Sequence, residues 1–135
     1  MRCITLTVDG VMPYKEGIVL VKRKNDPFRG YYALPGGIVE YGERVEDAVL
    51  REVREETGLE CVIDRLVGVY SDPDRDPRGH YVSICFLLRV MGGKLRAGSD
   101  AQEVKVFKLG ELPKLAFDHF NIVRDAEVML SGILP

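Results

Sequence analysis

Apolar and polar residues alternate over residues 3–11, CITLTVDGV, which is the period-two signature of a half-buried strand. GIVLVKRK, residues 17–24, predicts a second strand ending in a basic cluster, and residues 12–16 around Pro13 predict the turn between them. NDPFRG, 25–30, reads as a turn-rich loop, and YYALPGGIVE, 31–40, as extended chain broken at Pro35. The period then changes. Val45, Ala48, Val49 and Val53 recur at three- and four-residue spacing and predict a helix from Val45 to Thr57. Gly58 follows where a left-handed C-cap is expected.

ECVIDRLVGVYSD, 60–72, is a β-rich run, and PDRDPRGH, 73–80, a polar loop. YVSICFLLRVM, 81–91, is the most apolar strand and belongs at the centre of a sheet. GGKLRAGSDA, 92–101, predicts a loop, EVKVFKL, 103–109, a further strand, and ELPK, 111–114, a connector. A second helix is expected from Asp118 to Leu130, with Phe120, Ile122, Val123, Ala126 and Leu130 facing inward. Mixed strands with one central and one C-terminal helix predict an α/β fold, a mixed sheet sandwiched between helices.

Length bounds this reading to one domain over residues 1–135, long enough to bury a core. The formal net charge of −2 leaves no electrostatic footprint for nucleic acid. No apolar run is long enough to span a membrane, and the N-terminus lacks the apolar core of a secretory signal. Cys3, Cys61 and Cys85 are odd in number and have no metal-ligand spacing. They read as buried, reduced thiols in a cytoplasmic protein.

Candidate chemistry sits on the first helix. Glu52 and Glu56 are spaced i,i+4, and Glu55 lies beside them, so three carboxylates crowd one helix edge. Like charges at that spacing cost a helix about 0.2–0.5 kcal/mol per pair. Two readings are open. Arginine can neutralise the acids, as the spacings Asp47–Arg51 and Arg51–Glu55 allow, or the acids can hold a hard divalent cation such as Mg²⁺ or Mn²⁺. Gly36 and Gly37, adjacent after Pro35, indicate a sharp turn or a close approach, and Gly42 interrupts the connection into the helix.

The stretch 37–59, GIVEYGERVEDAVLREVREETGL, resembles the Nudix box, GX5EX7REUXEEXGU with U aliphatic. Gly37, Glu43, Arg51-Glu52-Val53, Glu55-Glu56 and Gly58-Leu59 fill all nine specified positions over twenty-three residues. The resemblance implies an α/β/α sandwich in which the box, a loop–helix–loop, binds divalent metal and hydrolyses a nucleoside diphosphate linked to another moiety. It implies Glu52 and Glu56 as metal ligands, Glu55 as a third and the Gly37 carbonyl as a fourth. Arg51 and Glu43 are expected to form an orienting ion pair. For the general base the resemblance points outside the box, to Glu103 first and Asp100 second, with a box glutamate as the alternative.

Within the family, SDPDRDPRGHYVS, 71–83, and LAFDHFNIVRDA, 115–126, are similar to the corresponding segments of small archaeal and bacterial ADP-ribose pyrophosphatases. That similarity implies Mg²⁺-dependent hydrolysis of ADP-ribose, and a homodimer whose N-terminal strand pairs or exchanges. Arg78 is a candidate for phosphate or ribose oxygens, Glu40 for ribose hydroxyls, and Phe28 and one of Tyr31 and Tyr32 for the adenine. Arg29, in the same segment as Phe28, and Asp118 complete the substrate candidates, with Arg75 and His80 behind them. Bland alternatives stand beside these: Asp76–Arg78 bracing its loop, His80 bonding locally, and Asp118 merely capping the last helix. The alternatives to ADP-ribose hydrolysis are cleavage of another nucleoside diphosphate derivative or of a nucleoside triphosphate, oxidised ones included, and an ADP-ribose sensor without activity.

Overall fold

The apolar runs GIVLV and ICFLL do not alternate because both faces of their strands are covered. The structure, a computed structural model, describes residues 2–98 and 101–135. Its elements run β1 (Thr5–Val11), β2 (Pro13–Tyr14), β3 (Gly17–Arg23), β4 (Tyr32–Ala33), β5 (Gly36–Ile38), α1 (Val45–Thr57), β6 (Leu59–Tyr70), β7 (Tyr81–Gly93), β8 (Ala101–Phe107) and α2 (His119–Ser131). The strands divide between two sheets, one ordered β5-β1-β7-β6 and one ordered β2-β3-β4 with β8 also paired to β3. The first sheet is mixed, since β1 and β7 run parallel while β5 and β6 pair antiparallel. The α/β expectation therefore holds, with two sheets in place of the one expected, and β7 lies inside its sheet.

Each helix covers one side. Val8, Met12, Val19, Phe86 and Leu88 pack with Ala48, Val49 and Val53 of α1. The alternate positions Val11, Ile18, Leu20, Cys85 and Leu87 pack with Ile122, Val123, Ala126 and Leu130 of α2. Successive residues of one strand thus feed opposite cores, as a pleat of period two requires. Gly10 has no side chain because a Cβ there would press on Val53 and Leu88 in the α1 core.

Helix α1 ends as its sequence indicates. Gly58 takes φ 77°, and its amide donates to the Arg54 carbonyl. Thr57, fully buried, donates its hydroxyl to the Val53 carbonyl at 2.6 Å and accepts from the Leu59 amide at 3.2 Å, which turns the chain straight into β6.

Four expectations are corrected. Phe120 is 50% exposed, because the buried stripe of α2 begins one residue earlier, at His119, and runs through Ile122, Val123, Ala126 and Leu130. Cys3 is exposed and Cys61 partly exposed, for Cys3 precedes β1; only Cys85 is buried. The segment expected as a loop at 92–101 is shorter, since β7 continues to Gly93 and β8 starts at Ala101. β1 is flanked by β5 and β7, so it has no free edge for pairing with a second chain; the long edge strand is β6.

Replacing Gly58 by Ala tests the turn. The left-handed backbone costs an L-residue about 1–2 kcal/mol, and the added Cβ would meet the Lys94 carbonyl. Urea unfolding of Gly58→Ala should therefore show a loss beyond about 2 kcal/mol, and a midpoint equal to that of the parent would contradict the assigned geometry.

Candidate active site

One cleft of about 240 Å³ opens over the middle of β1 and the C-terminal end of β3 and takes in Gly36 and Gly37 of the turn into β5. Gly36, Gly37 and Glu56 line one part of it, Arg23, Arg75, Arg78 and Phe117 another, and Asp9 and His119 also line it. Turn and helix are joined directly: the Gly36 amide donates to Glu56 Oε1 at 2.7 Å. Gly37 lies so close to Glu52 that a Cβ would fall 2.6 Å from both its carboxylate oxygens. A side chain at 37 would displace the Glu52 carboxylate, and one at 36 would strike the Val8 carbonyl, which accounts for the Gly-Gly pair.

Arg51 neutralises the acids of the helix. Its Nε donates to Glu43 Oε2 at 2.8 Å and its Nη2 to Glu43 Oε1 at 3.0 Å, a two-pronged pair. Nη1 reaches Glu52 at 2.9 Å and Glu55 at 3.4 Å, and Nη2 also donates to the Ile38 carbonyl at 3.3 Å. Hydrogen bonds from Arg51 and from the Glu40 amide hold the Glu43 carboxyl down at about 2. One guanidinium thus ties three box acids to the β5 backbone.

The other candidates fall into two groups. Arg78 and the weaker candidate Arg75 lie in the cleft. Arg78 grips Asp76 through Nε at 3.0 Å and Nη2 at 2.8 Å, and its guanidinium lies 4.6 Å from the Tyr81 ring centre. The loop-bracing pair is therefore present, yet Arg78 keeps 43% of its side chain exposed. Outside the cleft lining are Glu40, 70% exposed beside Arg51, and Arg29, which is exposed. Phe28 packs edge-on against Phe117 and Tyr31, and so supports the cleft wall from behind. Tyr32 packs on Phe107 and donates its hydroxyl to Glu103. Burial and that bond push the Tyr32 phenol up to about 12. Glu103 is exposed and is not among the residues that line the cleft. Asp100, the second candidate for the base, lies outside the described residues. His80 bonds locally, to the Ser71 carbonyl at 3.0 Å.

Asp118 stands at the N-cap position of α2 without making a side-chain cap bond. Its carboxylate is taken by Arg75, whose Nε and Nη2 approach at 2.9 and 2.6 Å. The residues on either side of Asp118 escaped the sequence reading. Phe117, at φ 54°, stacks under Arg23 at 4.9 Å and near Arg78 at 5.6 Å. His119 is buried and accepts the Leu34 amide through Nδ1 at 3.0 Å, which leaves the proton of the neutral ring on Nε2. Burial drives its pKa down to about 3. Asp9, also buried, accepts the Ser83 hydroxyl, and burial pushes its carboxyl up to about 7. Burial and the nearby Arg78 lower the Arg23 pKa. The one sequence signal for these groups was the polar residue set into each apolar stripe.

The donors offered by the box, carboxylates and a backbone carbonyl, are all oxygen and match a hard divalent cation in kind. Among the described residues no three acidic, histidine or cysteine side chains converge as a ready cage. Arg51 Nη1 holds Glu52, and the Gly36 amide holds Glu56.

The NUDIX domain family matches residues 5–126. Over 120 residues the chain is 58% identical to an ADP-ribose pyrophosphatase of Methanocaldococcus jannaschii, covering 89% of this chain and 71% of that one. The NUDIX domain of Shewanella oneidensis NrtR, solved with ADP-ribose, superposes with a TM-score of 0.83 at 27% identity, covering 96% of this chain and 90% of that one. A bifunctional NMN adenylyltransferase/ADP-ribose pyrophosphatase of Francisella tularensis, solved with AMP and a manganese ion, gives a TM-score of 0.81 at 26% identity; the match covers 96% of this chain and 42% of that longer one.

The buried pair Asp9 and His119 fixes a pH dependence. Asp9 keeps its proton to about pH 7 when folded but only to about the usual 3.8 when unfolded, so its ionisation opposes folding from pH 3.8 upward and fully above 7. His119 acts in the reverse sense. Its folded value of about 3 lies below the usual 6.5, so its contribution is complete above 6.5 and is lost as the pH falls toward 3. The two oppose each other between about 4 and 6.5. Asp9→Asn removes only the first. Its stability relative to the parent should grow between pH 5 and 7 and level off by pH 8, read as the gap between urea midpoints; a gap that is constant or shrinks over that range would refute the raised Asp9 pKa.

Proposed function

This chain belongs to the NUDIX domain family, and we propose that it hydrolyses ADP-ribose to AMP and ribose 5-phosphate, with Mg²⁺ as the divalent cation and Mn²⁺ as a substitute. The observation that carries the reading is the cleft itself. It unites the box residues Gly37 and Glu56 with Arg23, Arg75, Arg78 and the ring of Phe117. Acids for a cation, guanidinium groups for phosphate oxygens and an aromatic face for a base are what a nucleoside diphosphate needs. Residues 1–135 are read as one such domain.

Glu52, Glu56 and Glu55, with the Gly37 carbonyl, would hold the metal. When bound, the cation supplies charge neutralisation on the diphosphate and a more acidic water. Arg51 fixes the positions of Glu52 and Glu55 and, through Glu43 and the Ile38 carbonyl, their height against β5. Arg78, kept flat by Asp76 and Tyr81, presents its remaining N–H groups to phosphate oxygens. Water attacks one phosphorus, the P–O–P bridge opens, and the bridging oxygen leaves on the other phosphate. A carboxylate of the 52–56 cluster takes the proton of the water, with Glu103, held by the Tyr32 hydroxyl, as the alternative base.

We also read the protein as a cytoplasmic homodimer. Its three cysteines are free, and among the described residues no helix is long and apolar enough to cross a membrane. Edge strand β6 exposes Leu66 and Val69, which pair with Phe86 and Ile84 and so share one face, an apolar patch suited to a second copy. Sedimentation at micromolar concentration tests this, and a monomer would end it.

Product analysis tests the activity. The purified protein with ADP-ribose and Mg²⁺ should yield AMP and ribose 5-phosphate, faster than it cleaves NADH, diadenosine polyphosphates or nucleoside triphosphates, and EDTA should stop it. Preferred release of pyrophosphate from a triphosphate would discard the substrate and keep the metal site. ADP-ribose binding without hydrolysis would make the protein a sensor. Glu56→Gln should lower kcat by orders of magnitude without loss of fold. Arg51→Ala should lower both kcat and the urea midpoint, because it frees Glu43, Glu52 and Glu55 to repel one another.

A further inference from the structure

Asp9, Ser83 and His119 are buried, and the proposed reaction gives them no task. Ser83 spends its hydroxyl on Asp9 Oδ2. His119 spends Nδ1 on the Leu34 amide, and its Nε2 stands 3.8 Å from the same Oδ2. Among the described residues nothing donates to Asp9 Oδ1. No side-chain polar atom among them is both buried and without a partner. Oδ1 therefore reaches the cleft that Asp9 lines, although the side chain as a whole is only 10% exposed. Gly36 is required by the β1 backbone, since a Cβ there would strike the Val8 carbonyl oxygen, and its lack of a side chain also leaves Oδ1, 2.5 Å from that position, uncovered.

A carboxylate oxygen nearly stripped of water and lacking a donor costs free energy. Valine at position 9 would avoid that cost and join Val11 in the α2 core. A ligand donor would satisfy the oxygen. Phosphate oxygens only accept, so they offer the ionised carboxylate no donor. Oδ1 and the Glu56 carboxylate lie against the same residue, Gly36, so Oδ1 sits beside the box glutamate that lines the cleft. The groups next to a diphosphate in a nucleotide sugar are its riboses, and their hydroxyls donate.

We infer that Asp9 is a binding residue of this cleft whose Oδ1 accepts a hydrogen bond from a ribose hydroxyl, with Ser83 holding the carboxyl in the receiving orientation. The inference rests on the nucleotide reading of the cleft. Either ribose of ADP-ribose, the adenosine one or the distal one, supplies the same chemistry.

Calorimetric titrations separate the sources. AMP, 2′,3′-dideoxy-AMP and ribose 5-phosphate are titrated into parent, Asp9→Val and Asp9→Asn protein with Mg²⁺ present, and ADP-ribose with EDTA. Asp9→Val should weaken ADP-ribose at least tenfold, and with it either AMP (adenosine ribose) or ribose 5-phosphate (distal ribose). Asp9→Asn, which keeps an acceptor oxygen, should lose less. Dideoxy-AMP should bind parent and Asp9→Val alike, and the urea midpoint of Asp9→Val should be no lower than that of the parent. Equal affinities of parent and Asp9→Val for all four compounds would overturn the inference, as would a loss for dideoxy-AMP as large as that for AMP. Parent protein that binds AMP but does not cleave ADP-ribose would remove the substrate while Asp9 is still judged on AMP against dideoxy-AMP. Parent protein that binds none of the four would remove both.

Discussion

Repulsion among the acids of one helix edge is the constraint the site is built around. Glu52, Glu55 and Glu56 would push α1 apart if left to themselves. The fold answers with a guanidinium for two of them and a backbone amide for the third. Arg51 reaches Glu52 and Glu55, while the Gly36 amide takes Glu56. Both answers need the β5 turn pressed against the helix, and the glycines of that turn allow it: a Cβ at Gly36 would strike the Val8 carbonyl, and one at Gly37 the Glu52 carboxylate. Charge, turn and helix are thus a single solution.

The opposite wall depends on four residues, Ala116 to His119. The Ala116 amide bonds to the Tyr32 carbonyl, Asp118 holds Arg75, and His119 receives the Leu34 amide. Pinned at both ends, Phe117 keeps a left-handed backbone that a phenylalanine would not choose. Its ring then carries Arg23 on a face and approaches Arg78. Strain at Phe117 is the local cost of gathering β3, the 71–80 loop and α2 around one cleft.

Elements whose signal is local were legible in the chain. Val45, Ala48, Val49 and Val53 with Gly58 marked both ends of α1, and the unbroken apolar run at 81–91 marked an interior strand because both its faces are covered. Groups defined by long-range contact were not. Asp9 meets Ser83 74 residues away and His119 meets Leu34 85 away. Along the chain Asp9 is merely the polar member of an alternation and His119 the first residue of a helix. Phe120, the larger apolar neighbour, drew the inward assignment that His119 holds. For Tyr32 and Glu103 residue type was suggestive, but β4 and β8 place both opposite Lys22 of β3, where they bond to each other outside the cleft lining.

Residues 8–12, the end of β1 and the residue after it, carry three destinations. Val8 and Met12 enter one core, Val11 the other, and Asp9 the cleft. Sliding β1 by one residue against β7 would turn every one of these side chains to the opposite face. Asp9 would then be driven among Val49, Val53 and Leu88, where no donor waits, while Val8 would stopper the cleft. The acid at the cleft floor therefore proofreads strand alignment, so a chain that has reached its lowest free energy has by the same step assembled its site.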